Sequence, residues 1–422
     1  MTLLSENSPF VHRDFRLYWV ARFAAVMATM SMIVIIGYQL VVIAIDDYGM
    51  SQREAGLQLG LLGLFQFIPL FLLTPVAGWA ADRFERRTVA RIANVADMGV
   101  AIALGIATMN DWLTIPLLFC FAAAHGIARV FVGPAMSAMV SNVVPANILP
   151  RAIAFNSIAW QSASVIGPAL AGFMFEANNA LPYWFSASML AITFIALTLM
   201  KPIHAQNRDT QTHPVRQMIE GLKYTWNERF LLGAITLDLF AVLLGGATAM
   251  LPLYAHTILD VGADGLGWLR AAPALGAAIM ALWFAVRPLR HNVGIKMLWA
   301  VVVFGLATIC FGLSKNFALS VAALAVLGAA DMLSVYVRSS LVQLNTPDAM
   351  RGRVSSASTL AISASNELGE MQSGLAAALI GPVGAVVFGG IGAIFVTGLW
   401  AYMFPELRNA RTFEPQFKEV KS

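Results

Sequence analysis

The chain has 422 residues, of which 59% are hydrophobic and 12% charged, roughly half the ~25% charged share of a water-soluble domain. Its 27 Lys and Arg against 23 Asp and Glu give a net charge of +4, but the cations lie between apolar runs, which argues against a nucleic-acid partner and marks them as topology signals. The two cysteines, Cys120 and Cys310, each sit inside an apolar run and offer neither a disulfide framework nor a thiolate metal site.

About 20 apolar residues cross the hydrocarbon core of a bilayer as a helix. The first run, residues 17–45, is too long for the apolar part of a cleaved signal and is read as the first span. Residues 55–80, 89–109, 113–139, 152–175 and 181–200 complete a first set of six. A polar interval follows, and then residues 231–259, 265–286, 294–313, 317–342, 354–379 and 382–404 form a second six. The fold class is therefore an all-α membrane protein of twelve transmembrane helices. Its predicted organisation is an N-terminal half (1–200), a linker (201–228), a C-terminal half (229–404) and a tail (405–422). In the linker, Val215, Ile219, Leu222 and Trp226 recur at helical spacing, which fits a surface-lying amphipathic helix; a plain connection is the alternative.

Lys and Arg sort the loops by side. Arg13 and Arg16 precede the first span, Arg83, Arg86, Arg87 and Arg91 follow the second, and Lys201, Arg208, Arg216, Lys223 and Arg229 fill the linker. Arg287, Arg290 and Lys296, then Arg351 and Arg353, and finally Arg408, Arg411, Lys418 and Lys421 lie on the same side, against only Arg53 and Lys315 on the other. Both termini and the linker are expected in the cytoplasm.

A shift of 202 residues lays Pro145 on Pro347, Arg151 on Arg353, Gly126 on Gly328 and Gly172 on Gly374, so the halves read as two six-helix pseudo-symmetric repeats. In transporters built this way the substrate path runs between the repeats near the midplane.

Between spans two and three stand Gly78, Trp79, Ala80, Ala81, Asp82, Arg83, Phe84, Glu85, Arg86 and Arg87. Such a turn can hold helix ends and neighbouring charges and so fix one conformational state. The segment resembles the signature loop of the major facilitator superfamily, Gly-x-x-x-Asp-Arg-x-Gly-Arg-Arg. Gly78, Asp82, Arg83, Arg86 and Arg87 match, and Glu85 replaces the usual glycine. The second-half counterpart, residues 287–294, lacks the acid. In span five, residues 163–172 carry Gly167, Pro168 and Gly172 and resemble the antiporter motif of that superfamily, with alanine at two glycine positions; ordinary small-residue packing is the alternative source of the glycines. The resemblance implies export. Ala81–Asp82–Arg83–Phe84–Glu85–Arg86 and the run from Thr346 through Pro347, Asp348, Ala349, Met350, Arg351 and Gly352 to Arg353 narrow the resemblance to the siderophore and drug exporter branch, which includes enterobactin export.

Ionisable groups inside a membrane are costly and are functional candidates. Here they are Arg22, Asp97, His125, Arg129, Asp238, Arg270, Asp331, Arg338, Glu367 and Glu370. The repeat places Asp331 at the position of Arg129, so opposite charges hold equivalent places. A carboxylate in a low-dielectric cavity is drawn toward its neutral form by desolvation and toward its anion by a nearby guanidinium, which is the chemistry of proton antiport. Asp331, Glu367 and Glu370 are the candidate proton carriers with Arg129 as counter-ion, and Asp238 with Arg22 is a second set. A static ion-pair network is the alternative. Asp97 reads as structural, close to the cytoplasmic end and paired with the Arg83–Arg91 cluster. Tyr38, Gln39, Gln66, His125, Asn156, Trp160, Gln161 and Arg338 are candidates to line the substrate cavity.

No Gly-x-x-x-x-Gly-Lys-Ser/Thr phosphate loop is present, so the energy is expected to come from an ion gradient. The six histidines, His12, His125, His204, His213, His256 and His291, are scattered, and no metal-ligand cluster or nucleophile–base pair suggests an enzyme or a cofactor. The expected function is export of a small amphipathic molecule, siderophore or drug-like, by proton antiport with alternating access. The expected partners are the lipid bilayer, the small-molecule substrate and protons, with the chain a monomer. A lysophospholipid flippase or nutrient importer of the same fold, or a non-transporting receptor, are the rivals. The orientation predicts that a fluorescent protein fused to the C-terminus glows, whereas alkaline phosphatase there is inactive and becomes active when inserted beside Lys315; the opposite pattern overturns the topology.

Overall fold

The computed structural model describes residues 8–202, 214–287, 289 and 291–413. Their regular elements are all helical: α1 (Arg13–Val42), α2 (Gln52–Arg83), α3 (Arg86–Met109), α4 (Ile115–Met139), α5 (Leu149–Ala177), α6 (Leu181–Leu199), α7 (Pro214–Asn227), α8 (Arg229–Leu244), α9 (Leu251–Leu253), α10 (Gly262–Val286), α11 (Val293–Leu313), α12 (Phe317–Leu344), α13 (Asp348–Met403) and α14 (Pro405–Arg408). Among the described residues 11 helical stretches are long and apolar enough to span a membrane, the last being Ala364–Met403 with 40 residues. A continuous helix of that length is about 60 Å long, twice the ~30 Å hydrocarbon thickness. It is interrupted at Gly381, whose φ of 80° and ψ of 164° only glycine adopts readily, just before Pro382. This stretch supplies two crossings, and the total is twelve.

The seventh span departs from the continuous helix expected from its hydropathy. Gly245 and Gly246 end α8, a 3₁₀ turn (Ala247–Met250) and α9 follow, and a π-helical turn (Tyr254–Ile258) closes the segment. A Cβ on Gly246 would lie 2.8 Å from the Gly369 carbonyl, so the break is seated against α13. In the linker, α7 forms as a helix, with Ile219, Leu222 and Trp226 exposed, as a helix lying on a membrane surface requires. Its Gly221 lies against the Arg353 backbone and its Glu220 is 2.8 Å from the Arg353 guanidinium. Val215 of the predicted stripe, and His204, Arg208 and His213, lie outside the described side chains.

The chain packs as two compact units. The first contains α1, α2 from Leu64 onward, α3 to α6, and Ala255–Ala271; the second contains Ser51–Gly63, α7, α8, α9 and the chain from Ala272 onward. Phe15, Tyr18, Met136, Met139 and Leu197 are buried in the first core, and Leu231, Met297, Val337, Leu341 and Leu407 in the second. Large apolar side chains such as Leu72, Ile92, Leu282 and Phe395 are exposed, as expected where lipid is the solvent.

The glycines matched by the 202-residue repeat are points where helices touch backbone to backbone. A Cβ on Gly126 of α4 would lie 3.3 Å from the Gln66 carbonyl of α2, and one on Gly328 of α12 would enter the Pro273 carbonyl of α10. Gly172 of α5 meets Ala263 of α10 in the same way, and Gly374 of α13 meets Gly60 of α2. The repeat thus appears as two equivalent pairs of crossings, each inside one unit. Around Gly60 the row extends: Gly56 faces Ala377, and Gly63 faces Glu370.

Gly381 has nothing within 4 Å of a Cβ site, so Gly381→Ala tests backbone strain alone. It is expected to destabilise by about 1–3 kcal/mol. Gly398, equally open but helical, is the control: Gly398→Ala is expected to be neutral or stabilising by up to about 1 kcal/mol. Thermal unfolding in detergent measures both.

Candidate functional site

A buried charge survives only with a partner or by becoming neutral, so the pairing of each interior ionisable group decides what it can do. In the second unit, Arg338 of α12 is ion-paired with Asp238 of α8, both side chains less than a tenth exposed. Asp331, Ser334 and Arg338 recur at i, i+3 and i+7, one face of α12. A cavity of about 10 Å³, the room of roughly one water, is lined by Asp238, Asp331, Ser334, Val301 and Phe304. Asp331 makes no hydrogen bond or ion pair among the described residues. Arg338 also lines a larger cavity of about 150 Å³ whose wall carries the hydroxyls of Ser339, Thr346, Ser355 and Ser358.

These placements revise the second candidate set. Asp238 is held by Arg338 and not by Arg22, because α8 and α12 pack within one unit and bring the two side chains together. Arg22 belongs to the first unit, where its Nε is buried without a hydrogen-bond partner. Glu367 and Glu370 are both half-buried on α13, and Glu370 sits in the row of small residues, its Oε2 3.1 Å from where a Cβ on Gly63 would stand.

In the first unit, Asp97 of α3 stands mid-helix and not near the cytoplasmic end, and its Oδ1 lies 2.7 Å from His125 Nδ1 of α4. The expected partners in the arginine cluster are otherwise engaged. Arg91 stacks on Phe194; Arg86 donates to the Ala138 carbonyl at 3.0 Å and to Asn142 Oδ1 at 2.8 Å. Arg87 bonds Glu85, at 3.1 Å, and the carbonyl of Met200. The signature loop thus caps the C-terminal ends of α4 and α6, and Glu85, in the glycine position, also accepts from the Thr88 hydroxyl at 2.5 Å. Arg83 is exposed, Gly78 has no neighbour within 4 Å of a Cβ site, and the side chain of Asp82 lies outside the described residues.

The cavity candidates divide. Gln39 is tied into packing: Tyr183 donates to its Oε1 at 2.6 Å, and its Nε2 donates to Thr108 at 3.2 Å. Gln66 is buried and accepts from Arg129 at 3.3 Å, and Asn156 accepts from the Tyr18 hydroxyl at 2.8 Å. Tyr38 is buried edge-on against Phe175 and His256, while Trp160 is exposed and Gln161 half-buried. Gly167 and Pro168 are buried; Gly167 fits against the Met27 carbonyl of α1, and Gly267 of α10 closes on the Pro168 carbonyl. The motif region of α5 is therefore a tight three-helix junction. Sequence reasoning missed the His125–Asp97 pair and the Gly56–Gly60–Gly63 row, although the spacing of those glycines was visible. It also missed His256 Nε2 lying 3.3 Å from Asp46, for which no sequence signal exists.

Twelve crossings with charges buried inside both units define a multi-pass membrane protein with ionisable groups inside its spans. Residues 19–370 match the family model of the Major Facilitator Superfamily, and the chain belongs to that family. It is 26% identical to the enterobactin exporter EntS of Shigella flexneri over 426 aligned residues, 98% of this chain and 97% of that protein, and equally similar to EntS of Escherichia coli O1:K1. Its fold is similar to a D-xylose–proton symporter (TM-score 0.68, 14% identity, 93% of this chain and 98% of that one) and to a POT family transporter crystallised with 5-aminolevulinic acid (TM-score 0.72, 13% identity, 94% and 97%).

Breaking the buried Asp238–Arg338 pair from one side is expected to cost about 3–5 kcal/mol, as in Arg338→Met, and the double variant Asp238→Leu/Arg338→Met is expected to recover most of it. A double-mutant cycle by thermal unfolding in detergent checks this; additive losses would mean that the pair does not act as a unit.

Proposed function

We propose that this protein is a proton-coupled exporter of a small amphipathic molecule, siderophore or drug-like. It works by alternating access in the bacterial cytoplasmic membrane, with both termini in the cytoplasm. The observation that carries the coupling is Asp331. An acid in a membrane span with no partner among the described residues, beside the Asp238–Arg338 pair, has the environment of a group that gains and loses a proton. Its neutral form avoids the cost of an unpaired buried anion, and its anion adds to the attraction on Arg338. Glu367 and Glu370 remain further candidate carriers, with Arg129 as a candidate counter-ion.

Export is supported by the similarity to enterobactin exporters along nearly the whole chain and by the Gly167–Pro168 junction. The hydroxyl-lined cavity beside Arg338 suits the polar part of such a cargo. Candidate siderophores and dyes are to be followed in cells with and without the protein, and then in everted vesicles with an imposed proton gradient. Asp331→Asn is expected to abolish proton-driven uptake and Asp331→Glu to retain it. Undiminished, pH-responsive transport by Asp331→Asn would remove Asp331 as carrier, and equal accumulation of every cargo with and without the protein would remove export.

A further inference from the structure

The first unit holds an acid–base pair that the coupling scheme above does not use. Asp97 stands midway along α3 and His125 near the middle of α4, so each lies at least about 15 Å from the nearer end of its helix. Their side chains are 3% and 0% exposed, with Nδ1 to Oδ1 at 2.7 Å. The pair is enclosed: Gly126, next to His125, lies against the backbone of Gln66 on α2, and Asn94, one turn before Asp97, donates to the Leu190 carbonyl of α6 at 2.8 Å.

His125 Nε2 is buried and has no hydrogen-bond partner. The bond to Asp97 fixes Nδ1 as the protonated nitrogen, so Nε2 is a bare lone pair in the neutral ring and an N–H in the imidazolium. Either state leaves one buried polar position unsatisfied. Asp97 is also the only acid in the middle of any of the first six spans; the others from Asp14 onward, Asp14, Asp46, Asp47, Glu54, Asp82, Glu85, Asp111 and Glu176, lie at helix ends or in the connections beside them. The charged and titratable groups on the surrounding helices are Tyr18, Arg22 and Tyr38 on α1, Arg91 on α3, Arg129 and Cys120 on α4 and Tyr183 on α6; the helix ends add Arg13, Asp14 and Arg16 on α1, Arg53, Glu54, Asp82 and Arg83 on α2, and Arg86 and Arg87 on α3. Arg129, one turn beyond His125 and bonded to Gln66, is the cation placed to compensate the pair when it carries its negative charge.

We infer that His125 and Asp97 form a proton-binding site of the first unit, with Nε2 of His125 as the atom where the proton is gained and lost. A proton brought by water bonds to the Nε2 lone pair, and the imidazolium keeps its Nδ1–H on Asp97, so the pair passes from one negative charge to none. Return of that proton to water restores the neutral ring. Asp97 orients and stabilises the ring, and Gln66 couples the site to α2 through Arg129. The site rests on the proton coupling proposed above and adds a second proton to it.

The test counts protons bound by purified protein in detergent between about pH 5 and pH 8. Wild type is expected to bind one more proton than His125→Gln across that range, and Asp97→Asn to change the pH at which that proton is bound. His125→Asn replaces the glutamine variant if that does not fold; if neither folds, the imidazole NMR signals of the wild type read the same titration. In vesicles, His125→Gln is expected to lower the proton-to-cargo ratio by one, while Asp331→Asn abolishes coupling. Equal proton binding by wild type and variant, or a His125 signal that does not move with pH, overturns this site whatever Asp331 does. Absence of any proton movement with cargo in wild type overturns the exporter mechanism instead, and the titration still decides the site.

Discussion

Two helices in a bilayer gain little by hiding apolar surface from each other, since lipid is as apolar as leucine, so they associate where their backbones can touch. That constraint organises this molecule. Gly126 against Gln66, Gly328 against Pro273, Gly172 against Ala263 and Gly374 against Gly60 are the points at which a Cβ would enter the neighbouring backbone or stand tight against it. They fix which helices of each unit cross and at what height. The chemistry is attached to these crossings: His125 precedes Gly126, and Glu370 stands one turn before Gly374 in contact with Gly63.

The second constraint is the cost of charge away from water. Each unit meets it differently. The second holds Asp238 neutralised by Arg338 and keeps Asp331, Glu367 and Glu370 in its spans, an excess of acid. The first holds Arg22, Arg129 and Arg270 with Asp97 as its mid-span acid, an excess of base, and Asp97 is given to His125. Under the proposed coupling, a proton bound by an acid of the second unit or by the histidine of the first changes the charge of that unit by one, and charge differences in a low dielectric are the kind of term that can bias a conformational equilibrium.

The amphipathic α7 and the signature loop belong to the polar border of the structure. Arg86 and Arg87 satisfy carbonyls at the ends of α4 and α6 that would otherwise lack donors, and Arg353 joins α7 to α13 through Glu220. Water is available at this border, and side chains with long reach and several donors hold helix ends in register there without the penalty a span would impose.

Hydropathy alone located every crossing, because the need to satisfy backbone groups inside lipid forces an apolar helix wherever the chain spans. It also separated the last two crossings at Gly381–Pro382, and the sequence shift exposed the repeat, whose glycines became the crossings. The break of the seventh span at Gly245–Gly246 was hidden, since its residues remain apolar throughout while the backbone is displaced by packing against α13. Pair formation was not legible either. Proximity in sequence points Asp97 to the Arg83–Arg91 cluster, and Asp238 is expected to pair with Arg22, whereas the partners are His125 and Arg338. Length and composition determine that a helix crosses the membrane, for each helix solves that problem alone. Which face it turns inward, and hence which acid meets which base, is a property of two helices at once and was decided only by how they pack.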